Sequence, residues 1–191
     1  MRPGIKKSAI RHAWIWAGCG LLAAGARAAD APPEPAPWFP VGETLVYQVR
    51  WGVIPVAESV ASTAWIEDEG ARRLQLLVRT RSNSFLSRIY PVDDTIETLL
   101  DPATLLPLRF TVRLNEGRHH THEVTTFDHS AGEAVWRRIR PPPAPEKVRR
   151  FAIESNTVDL LTFMYQLRRT PMAPGTNYEH RVMVDEKIVP S

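Results

Sequence analysis

From residue 45 onward the chain alternates apolar and polar side chains with a period of two, the pattern of strands that bury one face. Over 45–51 the odd positions Leu45, Tyr47, Val49 and Trp51 are all apolar, while Gln48 and Arg50 interrupt the other face. That predicts a first strand, broken by Gly52 and constrained at Pro55. Residues 56–66 resume with small side chains and end at the charged turn Glu67-Asp68-Glu69-Gly70. A third strand over 73–81 sets Leu74, Leu76, Val78 and Thr80 against Arg73, Gln75, Arg79 and Arg81, with only Leu77 out of register. Further strands are predicted over 94–100, 107–115, 118–127 and 133–140, with shorter ones over 148–153 and 177–185. Asn115-Glu116-Gly117 and the stretch 128–132 are hairpin links, and links this short favour an antiparallel meander. Pro141-Pro142-Pro143-Ala144-Pro145 lacks donors for a ladder and is predicted to be an exposed loop.

Two segments leave this period. Ser82-Asn83-Ser84 ahead of 85–90 predicts a capped short helix or turn, closed by Pro91. Residues 158–169 predict the strongest helix, opened by Ser155-Asn156-Thr157 and stopped by Pro171 and Pro174. Asp159 near its start and Arg168 and Arg169 at its end suit the helix dipole. Because it is apolar nearly all round, it is predicted to be buried in the hollow of the sheet. The expected class is mainly β (α+β): a curved antiparallel sheet or partly open barrel wrapped around one buried helix.

The first 28 residues change the picture of charge and compartment. Arg2, Lys6, Lys7, Arg11 and His12 form a basic start, 13–26 is uncharged, and Ala26-Arg27-Ala28 offers a small-x-small cleavage site. A signal peptide cut after Ala28 is expected, followed by a Pro-rich extended lead-in over 29–40 and a single β-rich domain over 41–191. The protein is then expected in the periplasm, with membrane contact only during export. Five of the 24 Lys and Arg lie in 1–28, which hold no Asp or Glu, so the remainder carries 19 basic against 21 acidic residues. The pI near 9.3 therefore belongs to the signal, and the electrostatic case for a nucleic-acid partner goes with it. The single cysteine, Cys19, also falls there, so the mature chain can form no disulfide within itself. Ala17-Gly18-Cys19 resembles a lipoprotein processing site, but Trp16 and the apolar run continuing past the cysteine speak against lipidation. The 14 uncharged residues of 13–26 fall short of the roughly 20 that span a bilayer.

Candidate chemistry is sparse. On a strand His120 and His122 point the same way, with His119 and His129 nearby and Glu123 or Asp128 as oxygen donors, a pattern open to zinc or copper. Two imidazoles do not close a site and nothing fixes a third ligand, so a polar strand near a hairpin, exposed to water, accounts for them better. Asp93 and Asp94 face opposite sides of a strand and are read as turn and cap residues. No serine sits in a nucleophile elbow. The arginines at 72, 73, 79, 81 and 88, with those at 137, 138, 140, 149 and 150, suggest a patch for acidic polymers or lipid head groups, but the interleaved acids and near-neutral total favour a solvated sheet face. Trp51, Trp65, Phe110, Phe163 and Met164 are candidates for lining an apolar cavity, although such residues also serve as plain core. No cofactor is implied.

Several blocks together resemble a known family. Phe39-Pro40-Val41-Gly42-Glu43-Thr44-Leu45-Val46-Tyr47, the run 49–56, Ser82-Asn83-Ser84-Phe85 and Ile89-Tyr90-Pro91-Val92-Asp93-Asp94 look like the exported bacterial family called domain of unknown function 3108. The segment 159–168 with Pro174-Gly175 is similar to its helical portion, so the resemblance spans 39–185. It implies an exported β-rich protein, with no catalytic residue to carry over. Such members continue with further strands, so the resemblance implies that 184–191 is a premature end. Three functions follow as expectations. The first is a non-enzymatic periplasmic protein holding a lipid or other apolar ligand in the concave sheet, by analogy with lipoprotein-carrier folds. The others are an envelope interaction or assembly factor and a metal-dependent hydrolase using the histidine cluster.

Overall fold

The computed structural model describes residues 37, 39–169, 173–175, 177, 179–184 and 187–190. The expected signal segment lies outside them, as does all of the expected lead-in except residues 37, 39 and 40. Eight strands, β1 (Thr44–Trp51), β2 (Ile54–Asp68), β3 (Ala71–Ser82), β4 (Asp93–Leu100), β5 (Pro107–Glu116), β6 (His119–Asp128), β7 (Glu133–Arg138) and β8 (Lys147–Ala152), pair in sequence order as one antiparallel sheet. A second sheet has the order β11 (Lys187–Pro190), β10 (Arg181–Val184), β9 (Val158–Asp159). Among the described residues the one α-helix, α1 (Leu160–Leu167), follows β9 directly.

The meander follows from its turns. Glu69 and Gly70 both take positive φ (53° and 78°), the two-residue geometry whose twist matches the flanking strands. Between β3 and β4 the Asn83 carboxamide accepts from the amides of Phe85 and Leu86 and opens a single 3-10 turn, Leu86–Arg88. The large sheet does not close into a barrel: β1 and β8 remain its edges.

One face of this curved sheet is covered in two halves. Leu74 and Leu76 of β3 and Leu100 of β4 pack with Leu161 and Tyr165 of α1 and with Phe39. Phe127, Ala134, Trp136 and Ile153 pack with Met183 of β10. Phe110 touches both clusters from the middle of the sheet.

Phe39 belongs to the first cluster, its ring meeting Tyr165 edge-on at 4.9 Å. Two details differ from the sequence reading. Helix α1 starts at 160, because Val158 and Asp159 pair in parallel with Val182 and Met183. It is also half rather than wholly buried: Leu161, Thr162 and Tyr165 face the sheet, while Leu160 and Met164 are exposed.

Candidate functional site

Between α1 and the covered face of β1–β5 lies a cavity of about 440 Å³. The register explains where it sits. Ala61, Val78 and Ile96 are successive cross-strand partners, so their side chains stand in one row under the helix. Leu45 and Tyr47 of β1 pair with Ala61 and Ser59 and continue that surface. Ala61 and Ser59 carry the smallest side chains of this lining and fill little of the space beneath α1. From above, Leu160, Met164 and Arg168 recur at the helical spacing of four, beside Leu161 and Tyr165. Exposure marks the mouth: Tyr47, Leu160 and Met164 reach solvent, Met164 with 57% of its surface, while Ala61, Leu161 and Tyr165 are buried.

The helix is held in place at both ends. Asp159, fully buried, is its N-cap: one carboxylate oxygen accepts from Leu161 N (2.8 Å), Thr162 N (3.0 Å) and the Thr98 hydroxyl of β4 (2.8 Å). The other oxygen accepts from the Thr162 hydroxyl. Burial pushes this carboxyl above its ordinary range, and the four donors pull against that shift. At the C-terminal end Arg168 grips Glu43 through both terminal nitrogens, one bond measuring 2.8 Å. The pair bridges α1 to the chain just ahead of β1. Hydrogen bonding from Arg168 holds the Glu43 carboxyl below its ordinary range, and Glu43 raises the guanidinium in turn. The guanidinium also lies 5.3 Å from the centre of the Tyr165 ring. Burial, followed by the charge of Glu43, pushes the Tyr165 phenol up.

Among the described residues Arg168 is the one charged side chain lining this cavity. The far half of the same sheet face carries a buried ionic group instead. Glu123 accepts from the Trp136 indole (2.9 Å) and from Arg138 (2.7 Å), so its charge is fully engaged within the protein.

The expected residues divide. Phe110 and Met164 line the cavity. Trp51, 79% exposed, stands at the β1–β2 hairpin tip. Trp65 packs at the edge of the first core cluster under Arg72, and Phe163 meets His180 edge-on at 5.0 Å. Tyr47, Ala61 and Arg168 were not among the expected cavity residues, although strand alternation points at Tyr47 and Ala61.

His120 and His122 share a face, but the opposite one from the cavity, because Glu123 belongs to the row of Ala61, Val78 and Ile96. His120 pairs with the Asn115 carboxamide (3.1 Å), and Arg113 donates to His122 (3.3 Å). Burial and then the Arg113 charge lower the His122 pKa. Among the described residues no group of three His, Cys, Asp or Glu side chains is placed to hold a metal ion. Asp93 pairs with Arg81 (3.0 Å) and Asp94 accepts from Asn115 N (2.8 Å), both as strand fastenings. Arg109 with Asp68 and Arg150 with Glu133 are likewise paired, so opposite charges interleave along the sheet.

Over residues 46–190 the chain matches the family model described as Protein of unknown function (DUF3108). No curated protein and no solved structure matches it.

Proposed function

We propose that this chain, which belongs to the DUF3108 family, is an exported binding protein that holds an apolar ligand between α1 and the sheet. The observation that carries this is the cavity of about 440 Å³, within the ~300–1,000 Å³ range of small-molecule sites. Its walls are aliphatic and aromatic, with polar groups gathered at one end. A binding role rather than catalysis is supported by the ionisable side chains already described, which are engaged in caps and cross-strand pairs. Export rests on the basic start, the uncharged run and Ala26-Arg27-Ala28.

Purified protein is expected to carry a co-purifying lipid by native mass spectrometry, or to take up the uncharged fluorophore N-phenyl-1-naphthylamine. Protein that is consistently empty and never takes up the fluorophore overturns the proposal. Cell fractionation with N-terminal sequencing tests export: a mature chain beginning at Ala29 is expected.

A second reading, an envelope interaction factor, is favoured by one observation. Trp51, Val53, Phe85 and Ile89 are all strongly exposed in the β1–β2 and β3–β4 connections, Val53 at 86%. A photoreactive side chain at position 53 should then crosslink to one envelope protein in intact cells. Crosslinking to lipid alone, or to nothing, counts against it.

A further inference from the structure

We infer that the cavity takes a single-chain amphiphile with an anionic, oxygen-rich head, a carboxylate or a phosphate monoester, and that Arg168 reads that head by exchanging Glu43 for it. The inference rests on the apolar-ligand reading above and adds the chemical class of the ligand.

The polar lining is confined and asymmetric. Ser59, the cross-strand partner of Tyr47, is already bonded by the Thr80 hydroxyl (2.9 Å). Among the described residues the other polar lining groups are Tyr47, Tyr165 and Arg168. All three are donors, and Tyr47 and Arg168 are partly exposed at the mouth. The guanidinium fork fits two oxygens of one anion, and the Tyr47 phenol beside it adds an O–H donor. An uncharged head would leave that fork to Glu43. A cationic head would face Arg168.

Glu43 occupies the fork in the structure described here. It stands in for the kind of group the site recognises, a carboxylate held by both terminal nitrogens. The pair is partly exposed, so water reaches it and the exchange of one carboxylate for another is not blocked by burial. An incoming head releases Glu43 to solvent while its chain fills the space under α1. The Glu43 bridge across the mouth is then the empty form of the site.

The test is displacement of N-phenyl-1-naphthylamine by four ligands with one dodecyl chain and different heads: dodecanoate, dodecyl phosphate, dodecanol and dodecyltrimethylammonium. In the wild-type protein at neutral pH either anion should bind about tenfold tighter than dodecanol, the order of one charge-assisted hydrogen-bonded contact. Whichever of dodecanoate and dodecyl phosphate is tighter identifies the head. Arg168→Met should bring the anions to within about twofold of dodecanol without weakening dodecanol. Glu43→Gln removes the competitor and should tighten the anions several-fold. A merely structural role for the pair predicts instead that both variants weaken all four ligands together.

Anions no tighter than dodecanol, or the ammonium tightest, overturn the head assignment while leaving the apolar cavity standing. Failure of all four to displace the fluorophore, or failure of the fluorophore to bind, removes the cavity reading and this inference with it.

Discussion

Asp159 fixes the position of α1, and its replacement should be the most informative change to the fold. The side chain is fully buried, caps the helix with two backbone amides and ties it to β4 through the Thr98 hydroxyl. Asp159→Ala removes an N-cap, a loss of about 0.5–2 kcal/mol. It also strands two buried hydroxyl groups at about 1–3 kcal/mol each if unpartnered. Against this, the charge was itself costly to bury, as the raised pKa records. The balance should be a loss of about 3 kcal/mol, a large share of the stability of a domain this size. Asp159→Asn keeps an oxygen for the two amides and drops the charge, so it should cost about 1 kcal/mol or less. Urea denaturation reads both as a shift in midpoint at constant slope.

The wild type also separates from both variants in pH. A carboxyl whose folded pKa lies above the ordinary 3.8 makes the folded state hold its proton more tightly than the unfolded chain. Its contribution therefore rises as pH falls from the folded value toward 3.8 and is flat below that. Glu43 and Asp128, with lowered values, act in the opposite direction. The Asp159 contribution is therefore the wild-type minus Asp159→Asn difference. An alanine cost below about 0.5 kcal/mol, the noise of ordinary surface changes, or equal costs for Ala and Asn, would refute the capping account.

Met164→Glu places a charge at the cavity mouth on an exposed helix position. Stability should change by less than about 0.5 kcal/mol, while N-phenyl-1-naphthylamine binding falls at least severalfold; unchanged binding would show that the fluorophore sits elsewhere. Trp136→Phe removes the indole donor to Glu123 and should cost about 1.5–3 kcal/mol, read by urea midpoint, whereas a cost near zero would mean Glu123 is held by Arg138 alone. Gly117 has φ 58° and lies where an added Cβ would meet the Tyr90 ring at 2.8 Å. Gly117→Ala should therefore cost about 1 kcal/mol or more, and a stabilised variant would contradict that geometry. The His122 imidazole should titrate below 6.5 by NMR, and because burial is the larger cause, Arg113→Ala should recover only part of the shift.

The strand order was legible because the period-two signal is local. Leu74, Leu76 and Val78 declare their shared face without knowledge of any partner. The helix start was not legible: Val158 and Asp159 look helical until Val182 and Met183 are brought beside them, and that pairing is a tertiary fact. Trp51 lies away from the cavity for a related reason. Its parity matches Leu45 and Tyr47, but it lies at a hairpin tip on an edge strand, and parity says nothing about what covers a position. Arg168 was readable only as a dipole partner for the helix end, since Glu43 lies 125 residues earlier.

The order of the pieces along the chain also sets an order in time. Each strand of the large sheet pairs with its neighbour in sequence, so a chain made from its N-terminus can extend the meander one hairpin at a time, through contacts of short span. The pieces that roof it, α1 and β10, come only after β8. Until they arrive, the apolar row through Ala61, Val78 and Ile96 has no cover. The nascent sheet is thus a tray before it is a container, open to filling or to aggregation during the interval its own topology imposes.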